Sequence, residues 1–315
     1  MFTEQCSRWK HARVFQLVEA NFPALADGRS FPLLETVEIR HFIDEPEYPD
    51  LHLFNSAPRL HTLKIDKLPP AEALETFTPC FQITSLIVYH GDYYDLLVLN
   101  KFSNLKSIVF AKLDVDPEIE ELPPQTLPYV TTVDFQLSDF SEVSYGCNSL
   151  KMLVEKLTLP SLTTLMITNQ VYDRDLESPE SMFKGVWPPQ SFSDFFQRSG
   201  CSLTALHLDY ISIPDRELIA LLRLNPSLVE LRVKEICRKD YDFAAIESRR
   251  RRRRRRKRGL LPDGPFFKFE DIIAPLLLTS LHAYNHGLTS TSPLVPKLER
   301  LRFVADGFLF DDELF

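Results

Sequence analysis

An α/β architecture, a curved parallel sheet of short strands with helices and loops on its outer side, is what this 315-residue sequence predicts. Three observations carry it. A phrase of two apolar residues three apart, with a third two further on, recurs ten times; a proline often introduces it; and most phrases follow one another at the spacing of a short repeat. In order they are Leu34/Val37/Ile39, Leu60/Leu63/Ile65, Ile83/Leu86/Val88, Leu105/Ile108/Phe110, Val130/Val133/Phe135, Leu162/Leu165/Ile167, Leu203/Leu206/Leu208, Leu228/Leu231/Val233, Leu278/Leu281/Ala283 and Leu298/Leu301/Phe303. Trp9/Ala12/Val14 reads as an eleventh.

Successive phrases start 26, 23, 22, 25, 32, 41, 25, 50 and 20 residues apart. Units of about 20–29 residues built on such a strand are leucine-rich repeats. The expected fold is therefore an irregular leucine-rich-repeat solenoid, a single domain over residues 1–315 with a disordered basic insertion at about 244–264. Side chains alternate along a strand, so the three apolar residues of each phrase point inward and the positions between them point out. Many of those outward positions are Thr or Ser (Thr36, Thr62, Ser85, Ser107, Thr132, Thr164, Ser280), suited to a solvated sheet face. One strand cannot bury its own apolar face, so stacked neighbours must supply the core.

The returning segments read as helices where they are long. Ser191-Phe192-Ser193-Asp194 resembles a capping box ahead of Phe195 and Phe196, and Ser212-Ile213-Pro214-Asp215 repeats it before Leu218, Ile219, Leu221 and Leu222. A third helix is expected from Asn148 or Ser149 through Leu157, and a fourth within Asp263 to Leu278. Pro58, Pro128, Pro160 and Pro226 stand just before strands, where a fixed φ and a missing N–H end a helix at little cost. Three intervals exceed a plain repeat. The one from Val130 fits an added helix, the one from Leu162 holds a polar stretch at Asp173 to Pro179, and the one from Leu228 holds the basic run. Such insertions often gather on a binding face, or are tolerated because lengthening a surface loop costs little entropy.

That run is Arg249, Arg250, Arg251, Arg252, Arg253, Arg254, Arg255, Arg256, Lys257 and Arg258. Without it the chain has 26 basic against 44 acidic residues, a net charge of 26 − 44 = −18. Like charges repel and no apolar residue offsets the ordering entropy, so a loop is expected there. An idle loop, a nuclear-import signal and a phosphate contact all fit it. Nucleic acid is the least favoured, because no aromatics interleave the arginines and the body is acidic.

No catalytic or metal-binding motif is complete in the sequence. Gly259 and Gly264 have P-loop spacing, but Pro265 and Phe266 stand where Lys and Ser/Thr must hold phosphate and magnesium. His282 and His286 are four apart without the Glu of a zinc helix. Cys6, Cys80, Cys147, Cys201 and Cys237 are odd in number and form no C-x-x-C, which points away from disulfides and zinc and toward a reducing compartment. Glu4, Arg8 and Lys10 break any signal peptide, and the longest apolar stretch, near Ile272 to Leu281, contains Pro275. The expectation is a soluble cytoplasmic or nuclear monomer, not an enzyme, with no cofactor, metal or membrane contact.

Several phrases, in their order, resemble one family. Ser7-Arg8-Trp9-Lys10, Phe31-Pro32-Leu33-Leu34-Glu35, Ala57-Pro58-Arg59-Leu60, Leu159-Pro160-Ser161-Leu162-Thr163-Thr164-Leu165 and Cys201-Ser202-Leu203-Thr204-Ala205-Leu206 are similar to those of basidiomycete F-box proteins with degenerate leucine-rich repeats. The resemblance implies substrate recruitment to a ubiquitin ligase through a Skp-family adaptor, which docks on a three-helix F-box. Too few residues precede Ser7 for that module, so a fragment or a member without the box is expected, binding substrate but not adaptor. The chain likewise closes at Asp311-Asp312-Glu313-Leu314-Phe315 without a recognisable capping repeat, again expected of a truncation. The Asn or Cys that usually follows each strand is replaced by Phe42, Leu68, Gly91, Leu113, Ser138, Gln170, Ile211, Ile236, His286 and Asp306. An irregular curve with apolar packing instead of an Asn ladder is expected.

A protein partner is expected across the outward positions: Thr36, Glu38, Arg40; Thr62, Lys64, Asp66; Ser85, Ile87, Tyr89; Ser107, Val109; Asp134, Gln136; Met166; His207, Asp209; Glu230, Arg232, Lys234; Arg300 and Arg302. Among them Ile87, Tyr89, Val109 and Met166 read as an apolar middle, and Arg232, Lys234, Arg300 and Arg302 as a basic end. The chain's own insertions covering the apolar middle is the alternative.

Overall fold

The computed structural model describes residues 3–15, 30–40, 51–75, 77–91, 93–113, 123–137, 145–169, 187–211, 213–234, 277, 280, 281 and 294–304. Its strands are β1 (His11–Phe15), β2 (Thr36–Arg40), β3 (Thr62–Ile65), β4 (Ser85–Val88), β5 (Ser107–Leu113), β6 (Gln125–Thr126), β7 (Thr132–Leu137), β8 (Leu157–Thr158), β9 (Thr164–Asn169), β10 (Ala205–Asp209), β11 (Glu230–Lys234) and β12 (Arg300–Val304). Ten of them make one open sheet in the order β1-β2-β3-β4-β5-β7-β9-β10-β11-β12, every pair parallel. β6 and β8 form a separate two-stranded ladder that the sequence phrases did not signal. Among the described residues, α-helices with set bounds lie between strands: α1 (Ala71–Glu75), α2 (Tyr93–Leu97), α3 (Tyr145–Lys156), α4 (Pro189–Ser199) and α5 (Asp215–Arg223).

Nine of the ten phrases, with the Trp9 phrase, supply the ten strands of the large sheet. Leu278/Leu281/Ala283 does not: Ser280 and Leu281 are helical, and β11 pairs directly with β12. The reason lies in the residues. Ala283 is too small for a core place held elsewhere by Ile, Val, Leu or Phe, whereas Leu277 and Leu281 are four apart, a helical spacing. Leu277 is fully buried, and its N–H donates to Asp215 Oδ2 at the start of α5 (3.2 Å).

The inward residues of the phrases form a single core with the helices and turns. Val37, Leu63, Leu86, Ile108, Val133, Leu165, Leu206 and Leu231 line up across eight strands, with Ile39, Ile65, Val88, Phe110, Phe135, Ile167, Leu208 and Val233 beside them, all buried. Leu153 and Val154 of α3, Phe192, Phe195 and Phe196 of α4, and Leu218, Ile219, Leu221 and Leu222 of α5 belong to the same cluster. Helical spacing puts each set on one face. Trp187 stacks on Phe192, ring centroids 4.1 Å apart.

The starts of the helices differ from expectation. α4 begins at Pro189 with Pro188 before it and no side-chain cap, and Ser191 lies inside the helix, its hydroxyl donating to Glu155 Oε1 of α3 (2.8 Å). Proline at the first turn needs no capping oxygen for a donor it lacks, which frees Ser191 to tie two helices together. α5 likewise starts after Pro214 without a side-chain cap, and Ser212 lies outside the described residues. At its far end α4 closes on Gly200, whose φ of 59° lets its N–H reach back to Phe196 O. The prolines before strands do more than end helices. Pro32, Pro58, Pro128, Pro160, Pro226 and Pro296 hold the second place of turns closed by Leu34, Leu60, Val130, Leu162, Leu228 and Leu298 N–H groups on the carbonyls three residues back.

A polar spine runs through the sheet, but it is built from main chain. One carbonyl before each strand accepts two N–H groups from the next repeat: Lys10 O from Glu35 and Thr36, Glu35 O from His61 and Thr62, and so on through Thr131, Thr163, Thr204 and Val229. Thr131, Thr163 and Thr204 add their own hydroxyls to the carbonyl they already bond (3.2, 3.1 and 3.1 Å). These bonds lie before the strands; at the places after them where the usual Asn or Cys is replaced, Leu68 and Gly91 are buried. Thr163→Val keeps the shape and both N–H bonds and loses only the hydroxyl donor. It is expected to cost about 0.5–1.5 kcal/mol, read as a lower urea midpoint at unchanged slope.

Candidate protein-interaction face

Because every pair is in parallel register, the outward residues form straight rows across the strands. The first row is His11, Thr36, Thr62, Ser85, Ser107, Thr132, Thr164, Ala205, Glu230, Arg300; the second is Arg13, Glu38, Lys64, Ile87, Val109, Asp134, Met166, His207, Arg232, Arg302. A third, less regular, carries Phe15, Arg40, Tyr89, Ala111, Gln136, Thr168, Asp209 and Lys234. The twelve face residues singled out in the sequence, Glu38, Arg40, Lys64, Ile87, Tyr89, Val109, Met166, His207, Arg232, Lys234, Arg300 and Arg302, thus share one side of the sheet. All are half-buried except Arg300 and Arg302, which are exposed. The run Arg249 to Arg258 lies outside the described residues, as do His282 and His286.

The first strands carry an ion-pair chain. Arg13 and Arg40 both bond Glu38 Oε1 (3.2 and 3.1 Å), and Arg40 also bonds Asp66 (3.0 Å) while its guanidinium covers the Tyr89 ring. Arg13 is exposed, and its pair with Glu38 adds at most about 1 kcal/mol. The joint effect of these pairs is to hold the Arg40 guanidinium over the Tyr89 ring.

The apolar middle is interrupted. Asp134 stands in the second row between Val109 and Met166. Its Oδ2 accepts from Gln136 (2.8 Å), but its Oδ1 is buried without a partner. Burial pushes this carboxyl above the usual range, helped by the negative charge of Asp209 and opposed by Gln136 and His207. The sign follows from linkage: an acid whose folded pKa is raised loses stability as pH rises from 3.8 through its folded value. Asp134→Asn is expected to melt at a higher temperature than the parent at pH 7. The gain should vanish below pH 3.8, where both forms are neutral, as a melting series across pH would read.

The basic end is largely neutralised. Arg232 bonds Asp209 Oδ2 (2.6 Å), Arg300 bonds Glu230 Oε2 through two nitrogens (2.7 and 3.0 Å), and His207 Nε2 lies 2.9 Å from Glu230 Oε1. Lys234 sits over the ring of Tyr210, a residue at φ 59°. Glu230 is held below the usual carboxylate range by the Arg300 and His207 bonds. Arg302 is left without an ion pair among the described residues. Asp209 Oδ1 and Arg232 Nε are buried and unpartnered like Asp134 Oδ1. Three orphaned polar atoms on β7, β10 and β11 are costly, each of the order of 1–3 kcal/mol. Sequence reasoning placed Asp134 and Asp209 outward without singling them out, since a lone Asp in a Thr-rich row gives no signal of its pairing.

Cys6, Cys80 and Cys201 are free thiols among the described residues. Within the same residues no three His, Cys, Asp or Glu side chains converge as a metal site, and no helix is long and apolar enough to cross a membrane. Compared with known proteins, the sequence matches no family model and no curated protein.

Proposed function

We propose that this chain is an irregular leucine-rich-repeat solenoid whose outward sheet face recognises a protein. By the family it resembles, that partner is a substrate brought to a Skp–cullin ubiquitin ligase. The observation that carries the reading is the junction of Val109, Asp134, Met166, His207, Asp209 and Arg232. Apolar side chains adjoin desolvated, incompletely satisfied polar atoms there. Folding alone gains nothing from such an arrangement, whereas a partner that supplies the missing donors and acceptors gains both hydrogen bonds and apolar area.

A photo-crosslinking residue at Val109 or Met166 is expected to capture a protein in cells, and one at Leu224, exposed after α5, is not. Equal capture at all three sites counts against the face. The ubiquitin reading is separate. Depleting the chain should raise the abundance of the captured protein as proteasome inhibition does; capture without any change in abundance identifies a scaffold.

A further inference from the structure

Two acids stand in the second row of the face, in different company. Glu38 lies between Arg13 and Lys64 and bonds Arg13 and Arg40, whereas Asp134 lies between Val109 and Met166. The group that holds Asp134 Oδ2 is a neutral amide, that of Gln136, and Oδ1 is buried with no hydrogen-bond partner. The cations closest along the rows are engaged: Arg232 on Asp209, and His207 and Arg300 on Glu230. Asp209 Oδ1 and Arg232 Nε are orphaned too, but they belong to one ion pair, and a small rotation turns its single bond into the two-pronged carboxylate–guanidinium form. That remedy does not reach Asp134 Oδ1. The charges acting on Asp134 are the negative Asp209 and, in the opposite sense, His207, which already serves Glu230.

A group that completes Asp134 must bring both a hydrogen-bond donor and positive charge. A hydroxyl or a peptide N–H repairs the bond and leaves the charge. A divalent cation such as calcium repairs the charge but takes about six to eight oxygen ligands, and Val109 and Met166 supply none. Lysine and arginine side chains join a charged donor to an apolar stem. Val109 and Met166, half-buried, flank Asp134 at one strand spacing on either hand, about 4.8 Å, and offer that stem its contact.

We propose that Asp134, with Val109 and Met166 beside it, is the seat for a lysine or arginine side chain of the protein partner, its charged end on Asp134 Oδ1 and its stem along the two apolar neighbours. Such a seat presupposes the protein-binding face proposed above and specifies what that face receives. The probe is N-acetylarginine amide, titrated into the full chain labelled with carbon-13 at its aspartate carboxyl groups, with the neutral N-acetylcitrulline amide beside it. The arginine compound is expected to move the Asp134 resonance saturably, and the citrulline compound at equal concentration is not. Asp134→Asn should weaken the arginine compound about tenfold or more, read from amide shifts in β7 and β9, while Glu38→Gln leaves its affinity unchanged. Because Asp134→Asn is expected to be the more stable protein, that loss is not unfolding. An equal response to citrulline, an unchanged affinity in Asp134→Asn, or no saturable shift at Asp134 overturns the proposal; so does a saturable shift with calcium chloride and none with the arginine compound, which makes the seat a metal site. Crosslinking at Val109 and Met166 tests the face apart from the seat. Capture there without an arginine response at Asp134 sinks the seat alone, and failure of capture sinks the face and the seat with it.

Discussion

Phe110→Ala is expected to lower the unfolding free energy by about 3–5 kcal/mol, read as a shift of the urea midpoint. Phe110 is fully buried at the centre of the sheet, and its ring stacks on Phe135 of the next strand with centroids 6.2 Å apart. Neither β4 nor β7 can move into the space without leaving its main-chain register with β5. The cavity therefore persists, and the loss exceeds the transfer free energy of the missing ring. In a stack where each strand meets only its two neighbours, damage should stay local before it becomes global. Hydrogen exchange is expected to quicken in β4, β5 and β7 ahead of β10 and β11. Phe110→Leu should cost far less; an equal loss would mean that stacking on Phe135, not volume, is the dominant contribution.

The second large effect concerns binding. Lysines at both Val109 and Met166 are expected to weaken capture of the partner by at least about 100-fold, near 2.7 kcal/mol, the scale of a hot spot. Both side chains are half-buried on the face and flank Asp134 in the second row. Lysine ammonium groups there can reach a carboxylate oxygen that now has no donor, so folding is not penalised. That asymmetry separates the two roles. A variant that melts like the parent and no longer binds locates the interface; one that binds unchanged removes this part of the face from it. A titration against the crosslinked partner, with Leu224→Lys as control, reads the difference.

Strands were legible in the sequence because a two-sided sheet imposes a period that apolar residues must obey. Even the weak Trp9 phrase is a strand, since Ala12 and Val14 keep the alternation. The phrase at Leu278 failed because three apolar residues also satisfy a helix, and spacing alone does not arbitrate so short a run. Helix existence was legible at α3, α4 and α5, while the first residues of α4 and α5 were not, because proline at the N-terminus removes the need for the capping oxygens that mark a start. Charge on the face was the least legible. Arg232 and Arg300 look like free cations along the chain, but Asp209 and Glu230 neutralise them from adjacent strands, which only the register reveals. The main-chain spine has no side-chain signature apart from its threonines.

The strands of the large sheet begin 22 residues apart at the closest, β4 to β5, and 70 apart at the widest, β11 to β12. The shared carbonyls nonetheless set every start at the same level. Distance along the chain and distance across the face are therefore uncoupled. Arg232 and Arg302 are neighbours at one strand spacing, about 4.8 Å, just as Ile87 and Val109 are. Return segments can lengthen or shorten while the pattern presented to a partner stays fixed, so the face can be re-specified one row position at a time, like type set in a frame.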